Sequence, residues 1–204
     1  MRRRLLSAAA GALAVVGAAA LAGAAGGPGS PAAADHPAAA SSHHPHGTLG
    51  PHARSAAMLG TAAYQDVEAA DDAGWTSTLD SLGCFQDAAR GGMGVHYLNE
   101  ALLDARLEVG RPEALVYELD RNGFASGLVA HEYIVPVDAW RSSTPPRLFG
   151  RSLHRHPVLP LWVLHTRLWK PNPAGILADW NPGVRQCPDG VPIFGEGQPR
   201  AGGR

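Results

Sequence analysis

A chain of 204 residues has the length of one domain with a short extension. Its 17 Lys and Arg and 18 Asp and Glu give a net charge of −1, which argues against a nucleic-acid-binding protein because such proteins carry a clear basic excess. Two Cys are too few for a cysteine-rich miniprotein or a four-Cys zinc site.

Residues 1–34 have the pattern of a secretory signal peptide. Three Arg residues open the chain, an apolar stretch runs from Leu5 to Ala22, and small residues follow, with an Ala32-x-Ala34 cleavage motif. We therefore expect a secreted or cell-envelope protein, exported by the general or the twin-arginine route. The alternative is an uncleaved membrane anchor, because the apolar stretch is nearly long enough to span a bilayer.

Residues 35–54 are predicted to be a disordered linker, because Ala, Pro, Ser, Gly and His leave little apolar surface to bury. The N-terminal segment contains five His residues, which are His36, His43, His44, His46 and His52. They either scavenge divalent metal ions or belong to a solvated tail with no defined site. Residues 193–204 are predicted to be a disordered tail, which leaves one folded domain at 55–192.

The folded domain is predicted to be α+β, with one N-terminal amphipathic helix on a small antiparallel sheet or partial barrel and long Pro-rich loops. Apolar residues at helical spacing predict the helix from Ser55, its cap, to Asp72, with Gly74 just beyond its end. Strands are predicted at 95–98, 114–119, 128–137 and 161–169. A short helix capped by Asn99 is predicted at 99–107. A Pro-rich surface loop is predicted at 138–160, and Asn-Pro turns are predicted at 171–181.

The two cysteines, Cys84 and Cys187, are predicted to form a disulfide, because export places them in an oxidising compartment. The bond would close a loop across a separation of 103 positions, which in the chain-entropy treatment stabilises the fold by about 4–5 kcal/mol. A pair of free thiols is the alternative.

Four polar side chains interrupt otherwise apolar predicted strands, and they are the best candidates for chemistry. They are His96, Glu118, Glu132 and His165. Two imidazoles and two carboxylates from separate strands suit a mononuclear site for Zn, Mn, Fe or Cu. The alternative is structural: core histidines with satisfied hydrogen bonds, and Glu118 paired with Arg106, Arg111 or Arg167.

The predicted hairpin between the second and third strands decides which face Glu118 occupies. A three-residue loop ending at Gly123 would place Glu118 opposite Ser126 and on the face of Glu132. A two-residue loop would place it opposite Gly127 and on the face of His131. The turn sequence favours the three-residue loop.

A second candidate site is a surface of aromatic and amide side chains, comprising Trp169, Asn172, Trp180 and Asn181. Exposed Trp beside Asn could stack on sugars and hydrogen-bond to them, which would make the protein a non-catalytic cell-wall or carbohydrate-binding module. Alternatively, two of Trp162, Trp169 and Trp180 belong to the core and the third covers the disulfide. A third possibility is a structural envelope protein with no small ligand.

Several segments resemble motifs of a group of exported bacterial proteins that have no assigned activity. The segments are Gly92-Met93-Gly94-Val95-His96-Tyr97, Leu115-Val116-Tyr117-Glu118, His131-Glu132-Tyr133, Leu168-Trp169-Lys170-x-Asn172-Pro173-x-Gly175 and Trp180-Asn181-Pro182-x-Val184-x-x-Cys187. The resemblance spans about 61–187. It implies no function, and it places the four candidate metal ligands within or close to the shared segments.

Overall fold

The computed structural model describes residues 49–194, and the predicted signal peptide lies outside them. The helices are α1 (Pro51–Thr61) and α2 (Val67–Asp72), with 3-10 turns at Ala62–Gln65 and Glu100–Leu102. The strands are β1 (Thr76–Ser77), β2 (Phe85–Asp87), β3 (Gly91–Leu98), β4 (Ala114–Leu119), β5 (Ala125–Pro136), β6 (Arg147–Leu148), β7 (Arg151–Ser152), β8 (His154–Arg155) and β9 (Leu161–Thr166).

Most of the strands belong to one antiparallel sheet. Its order is β1-β3-β4-β5-β9-β8, and β2 pairs with the other end of the same β3. Strands β6 and β7 form a separate two-stranded sheet. Across residues 49–194 the main sheet stays open and is not closed into a barrel, so the architecture is broadly α+β as predicted.

The predicted single helix is interrupted. It begins at Pro51, inside the segment predicted as linker. Pro is favoured at the first position of a helix, and here this preference outweighs the capping preference of Ser55. It breaks at Asp66, whose backbone is extended (ψ 118°) and whose side chain accepts a hydrogen bond from the Glu68 N–H to start α2. The end of α2 is as predicted, with Gly74 just beyond it at φ 98°.

The sheet has two different faces because side chains alternate along each strand. On β4, Leu115, Tyr117 and Leu119 pack against the helical segment, where the Tyr117 hydroxyl donates a hydrogen bond to the Tyr64 carbonyl. We call this the helix face. The opposite face, which carries Ala114, Val116 and Glu118 on the same strand, is called the site face.

The two cysteines are joined, which confirms the predicted disulfide. The bond links the residue just before β2 to the segment after Val184. Beyond this segment, Ile193 pairs with Cys84, and the ring of Phe194 stacks on that of Phe85. The contacts of the fold therefore run past the predicted domain boundary at 192. A disulfide is consistent with an oxidising, extracellular location.

No helix within residues 49–194 has the length and hydrophobicity needed to span a bilayer.

Candidate metal centre

Three of the four predicted ligands converge on the site face. His96 comes from β3, Glu132 from β5 and His165 from β9. Glu132 and His165 are direct cross-strand partners, and each of the three residues offers one ligand atom within 4.8 Å of the other two.

His96 reaches the other two residues across the intervening strand β4. Glu132 pairs with Ala114 on β4, while His96 pairs with Val116 on its other side. Strands lie roughly 4.7–4.9 Å apart, so the two side chains must span about twice that distance. The methyl group of Ala114 is small enough to leave this space open.

The carboxylate of Glu132 lies between the two imidazoles. Its Oε2 is 3.2 Å from His96 Nε2, and its Oε1 is 3.5 Å from His165 Nε2. All three side chains are buried, with 7%, 7% and 3% of the His96, Glu132 and His165 side chains exposed. Burial raises the pKa of Glu132 and lowers that of His96 well below its ordinary value, so burial disfavours the charged form of both groups.

Two ring nitrogens of this group have no hydrogen-bond partner among the described residues. They are His96 Nδ1 and His165 Nε2, and both are buried. His165 Nε2 is near Glu132, but the contact lacks hydrogen-bond geometry. Leaving such a nitrogen unpaired costs about 1–3 kcal/mol, which calls for an explanation.

The other ring nitrogen of His165, Nδ1, is hydrogen-bonded to Asp179, which is not one of the three candidate ligands. Asp179 Oδ1 lies 3.0 Å from His165 Nδ1, and Oδ2 lies 3.3 Å from Nε2 of the half-exposed His154. Burial alone would raise the pKa of Asp179, but the hydrogen bonds from the two imidazoles outweigh it and hold that pKa well below its ordinary value. The bond to Asp179 also raises the pKa of His154.

A buried cation lies beside this arrangement. Arg167 donates hydrogen bonds to the backbone carbonyls of Met93, Ala178 and Asp179, so its guanidinium fixes the loop that carries Asp179. Burial lowers the pKa of Arg167 to about 10, which still leaves it cationic at neutral pH. Neither Asp179 nor Arg167 was among the predicted site residues.

Glu118 does not join the group, and its assignment as a metal ligand is corrected. It lies on the site face but four positions along β4 from Ala114, or about 13 Å at strand spacing. Its Oε2 accepts a hydrogen bond from Lys170 Nζ at 2.6 Å, and its Oε1 accepts one from Arg185 at 2.8 Å. Burial alone would raise the pKa of Glu118, but these bonds outweigh it and lower that pKa.

The predicted aromatic and amide surface is not a continuous exposed surface. Asn181 is fully buried, and its amide donates hydrogen bonds to the carbonyls of Lys170 and Pro171. The Asn172 amide donates to the Trp180 carbonyl, so both Asn side chains hold turns together. The Trp169 indole N–H donates to His131 Nε2 on the opposite face.

His131 itself is structural. It lies on the helix face, where Thr61 Oγ1 is 2.9 Å from Nε2 and Thr166 Oγ1 is 3.3 Å from Nδ1. Burial lowers the pKa of His131 to about 3, so the ring is neutral. The strand alternation that sends Glu132 to the site face sends His131 to the core.

The group of His96, Glu132 and His165 lies at a cavity of about 290 Å³. Its wall is mainly apolar and includes Phe85, Ile134, Val163 and Trp180. His154 and Asp179 also line it, so the cavity reaches both the candidate ligands and the residues that orient them.

Comparison with protein-family models, curated proteins and solved structures finds no match to this chain.

Proposed function

We propose that the protein is an exported metal-binding protein that holds one divalent transition-metal ion through His96, Glu132 and His165. The observation that carries the proposal is the convergence of these three buried donors from three strands. Export is supported by the disulfide and by the pattern of residues 1–34.

The spacing of the donor atoms suits a common ion. Ligands about 2.0–2.2 Å from a metal ion in tetrahedral or octahedral geometry are about 2.8–3.6 Å from one another. The distances of Glu132 oxygens to His96 Nε2 and His165 Nε2 are 3.2 and 3.5 Å. Both distances between Glu132 and the imidazoles fall in this range, and the donor atoms of the two imidazoles lie within 4.8 Å of each other.

The single hydrogen bond of the His165 ring favours a metal ion over a network of polar side chains alone. A ligating His usually donates its other N–H to a carboxylate, which fixes the tautomer and the direction of the ligating nitrogen. Asp179 occupies that position at Nδ1, and Nε2 is left facing Glu132 without a hydrogen bond. A bound cation would supply the missing partner of Nε2 and stabilise the anionic form of Glu132.

The ligand set belongs to the open class of metal sites. Two His and one carboxylate hold zinc in several hydrolases and iron(II) in many oxygenases, and both kinds of site keep a position for water or substrate. Here the free positions would face the cavity. The set contains no sulfur, and Zn²⁺, Fe²⁺, Mn²⁺ and Cu²⁺ are the ions to test.

The test is metal content at defined stoichiometry. The untagged, exported protein is stripped with a chelator, dialysed, loaded separately with each of the four ions and analysed by mass spectrometry. We expect one tightly bound ion per chain, lost in His96→Ala, Glu132→Gln and His165→Ala.

A control removes the N-terminal histidines, which could bind metal independently. They are His36, His43, His44, His46 and His52. The variant with all five replaced by Ala must retain one ion per chain, and Glu118→Gln must retain it too. If the five-His variant binds none of the four ions, or if it still binds one after His96→Ala, Glu132→Gln or His165→Ala is added to it, the proposal is wrong.

A further inference from the structure

The cavity beside the candidate metal centre has the shape of a small-molecule site. Its volume of about 290 Å³ is at the small end of the roughly 300–1,000 Å³ range of ligand pockets. Apolar side chains form most of the wall, among them Phe85, Met93, Ile134, Leu161 and Val163. An occupant must therefore be small, and most of its body must be apolar.

The other polar residues that line the cavity already have partners. Thr78 donates its hydroxyl to the His96 carbonyl, and His156 Nδ1 accepts hydrogen bonds from backbone N–H groups. Arg90 is paired with Asp87 at 2.6 Å and lies over the Trp180 ring. The groups that remain to bind a polar part of an occupant are therefore at one end of the cavity, where His96, Glu132 and His165 converge.

The charge at that end favours an anion. A divalent ion on Glu132 leaves one net positive charge, and the charges of Asp179 and Arg167 oppose each other. Because the surroundings are buried and apolar, this charge is poorly screened by water and attracts an anionic group strongly. A carboxylate is a good ligand for the metal ions concerned.

We propose that the cavity binds a small monocarboxylate with an apolar body, whose carboxylate coordinates the metal ion held by His96, Glu132 and His165. This inference rests on the proposed metal site. The apolar body would lie against Phe85, Ile134 and Val163.

The test compares four probes on protein with known metal content. Octanoate, octanol and octylammonium share one apolar body and differ in the charge of the head group, while acetate has the head group without the body. Binding is measured by calorimetry and by the change in tryptophan fluorescence, because Trp180 lines the cavity. Each probe is added to zinc-loaded and to chelator-stripped protein.

We expect octanoate to bind zinc-loaded protein at least tenfold more tightly than stripped protein. Acetate and octylammonium should bind the loaded protein at least tenfold more weakly than octanoate, and octanol should not respond to zinc. Octanoate affinity that is independent of zinc, or equal affinities for octanoate and acetate, would overturn the inference. Failure of the metal site itself would be seen earlier, as absence of bound zinc.

A variant separates the cavity from the metal ligands. Leu161→Trp fills part of the cavity at a position four residues before His165 on β9, whereas Leu59→Trp adds the same group at a position that is 79% exposed. The first should keep one zinc per chain and lose octanoate affinity at least tenfold, and the second should change neither. The same point is tested without a substitution by measuring acetate, butanoate and octanoate binding to the unaltered protein. An affinity that does not rise with chain length contradicts the inference.

Discussion

Asp179 Oδ1 lies 3.0 Å from His165 Nδ1, on the ring nitrogen opposite the one that faces Glu132. This contact fixes the orientation of the imidazole and leaves Nε2 directed at the other two candidate ligands. It links a loop residue to a strand residue 14 positions earlier, so it depends on the tertiary fold.

Replacing Asp179 should weaken metal binding without removing a ligand. We expect Asp179→Asn to lower metal affinity about 10–100-fold, the usual effect of losing an outer partner of a ligating His. Competition with a chromophoric chelator measures the affinity. Asp189→Asn, at an exposed position, is the matched control and should have no effect. Equal affinities of Asp179→Asn and the unaltered protein would mean that Asp179 does not orient a ligand.

Removing the Glu118 charge should affect stability and leave metal content unchanged. Glu118→Gln loses charged hydrogen bonds to Lys170 and Arg185, which are partly exposed and therefore partly screened. We expect a loss of about 1–2 kcal/mol in the free energy of unfolding at pH 7.

The pH dependence of that loss follows from the lowered pKa of Glu118. The stabilisation is fully present above the pKa of the unfolded chain, near 4.5, and disappears as pH falls through the lower pKa of the folded state. Urea unfolding at several pH values should show the difference between the variant and the unaltered protein shrinking below pH 4. A constant difference would contradict the assignment.

The buried carboxyl of Glu113 should make the protein less stable as pH rises. It accepts a hydrogen bond from the Ile134 N–H, and burial raises its pKa from 4.5 to about 8. The folded state keeps this proton where the unfolded chain has lost it, so stability declines between about pH 4.5 and 8.

The variant Glu113→Gln tests this, because its amide oxygen can still accept the hydrogen bond but does not ionise. We expect the two proteins to be similar at pH 5 and the variant to be more stable at pH 8, by on the order of 2–4 kcal/mol. Urea unfolding in the presence of a chelator makes the comparison without metal. No gain at pH 8 would show that Glu113 is not held neutral.

Opening the disulfide should lower stability strongly. The bond between Cys84 and Cys187 closes a loop across 103 positions, and its loss in a Cys84→Ala, Cys187→Ala double variant should cost up to about 4–5 kcal/mol. Denaturant unfolding of the two proteins under oxidising conditions provides the measurement. A change below about 1 kcal/mol would mean that the unfolded chain is already constrained.

The sequence predicts all four central strands because their signals are local, although β3 and β5 begin earlier and β9 ends earlier than predicted. Strand β4 matches its predicted bounds, since a run of apolar residues is bordered by Pro112 on one side and a turn on the other. The predicted short helix after Asn99 is only a 3-10 turn, although Asn99 does cap it.

The register of the hairpin shows where local signals fail. The prediction paired Glu118 with Ser126, but Glu118 pairs with Gly127. The cause is that the pairing of β4 with β5 has two register irregularities, one beside Glu118 and the other beside Val116. The irregularity beside Glu118 alone would place that residue on the face of His131. The irregularity beside Val116 reverses this change, so Glu118 still shares a face with Glu132 as predicted. Bulges of this kind leave no clear mark in a single sequence.

The candidate site was predictable only for residues that break an apolar strand. His96, Glu132 and His165 carry that signal, and the structure brings them together. Asp179 carries no such signal because it lies in a turn-rich segment. Its position is set by Arg167 and by the packing of the loop, which are properties of the whole fold.

The most direct test of the metal site is crystallography of the zinc-loaded protein with X-ray data collected on both sides of the zinc absorption edge. We expect one strong anomalous peak about 2.0–2.2 Å from Glu132 and from a ring nitrogen of each of His96 and His165. A protein saturated with zinc that shows no peak between these side chains, or shows zinc only at the N-terminal histidines, would contradict this expectation.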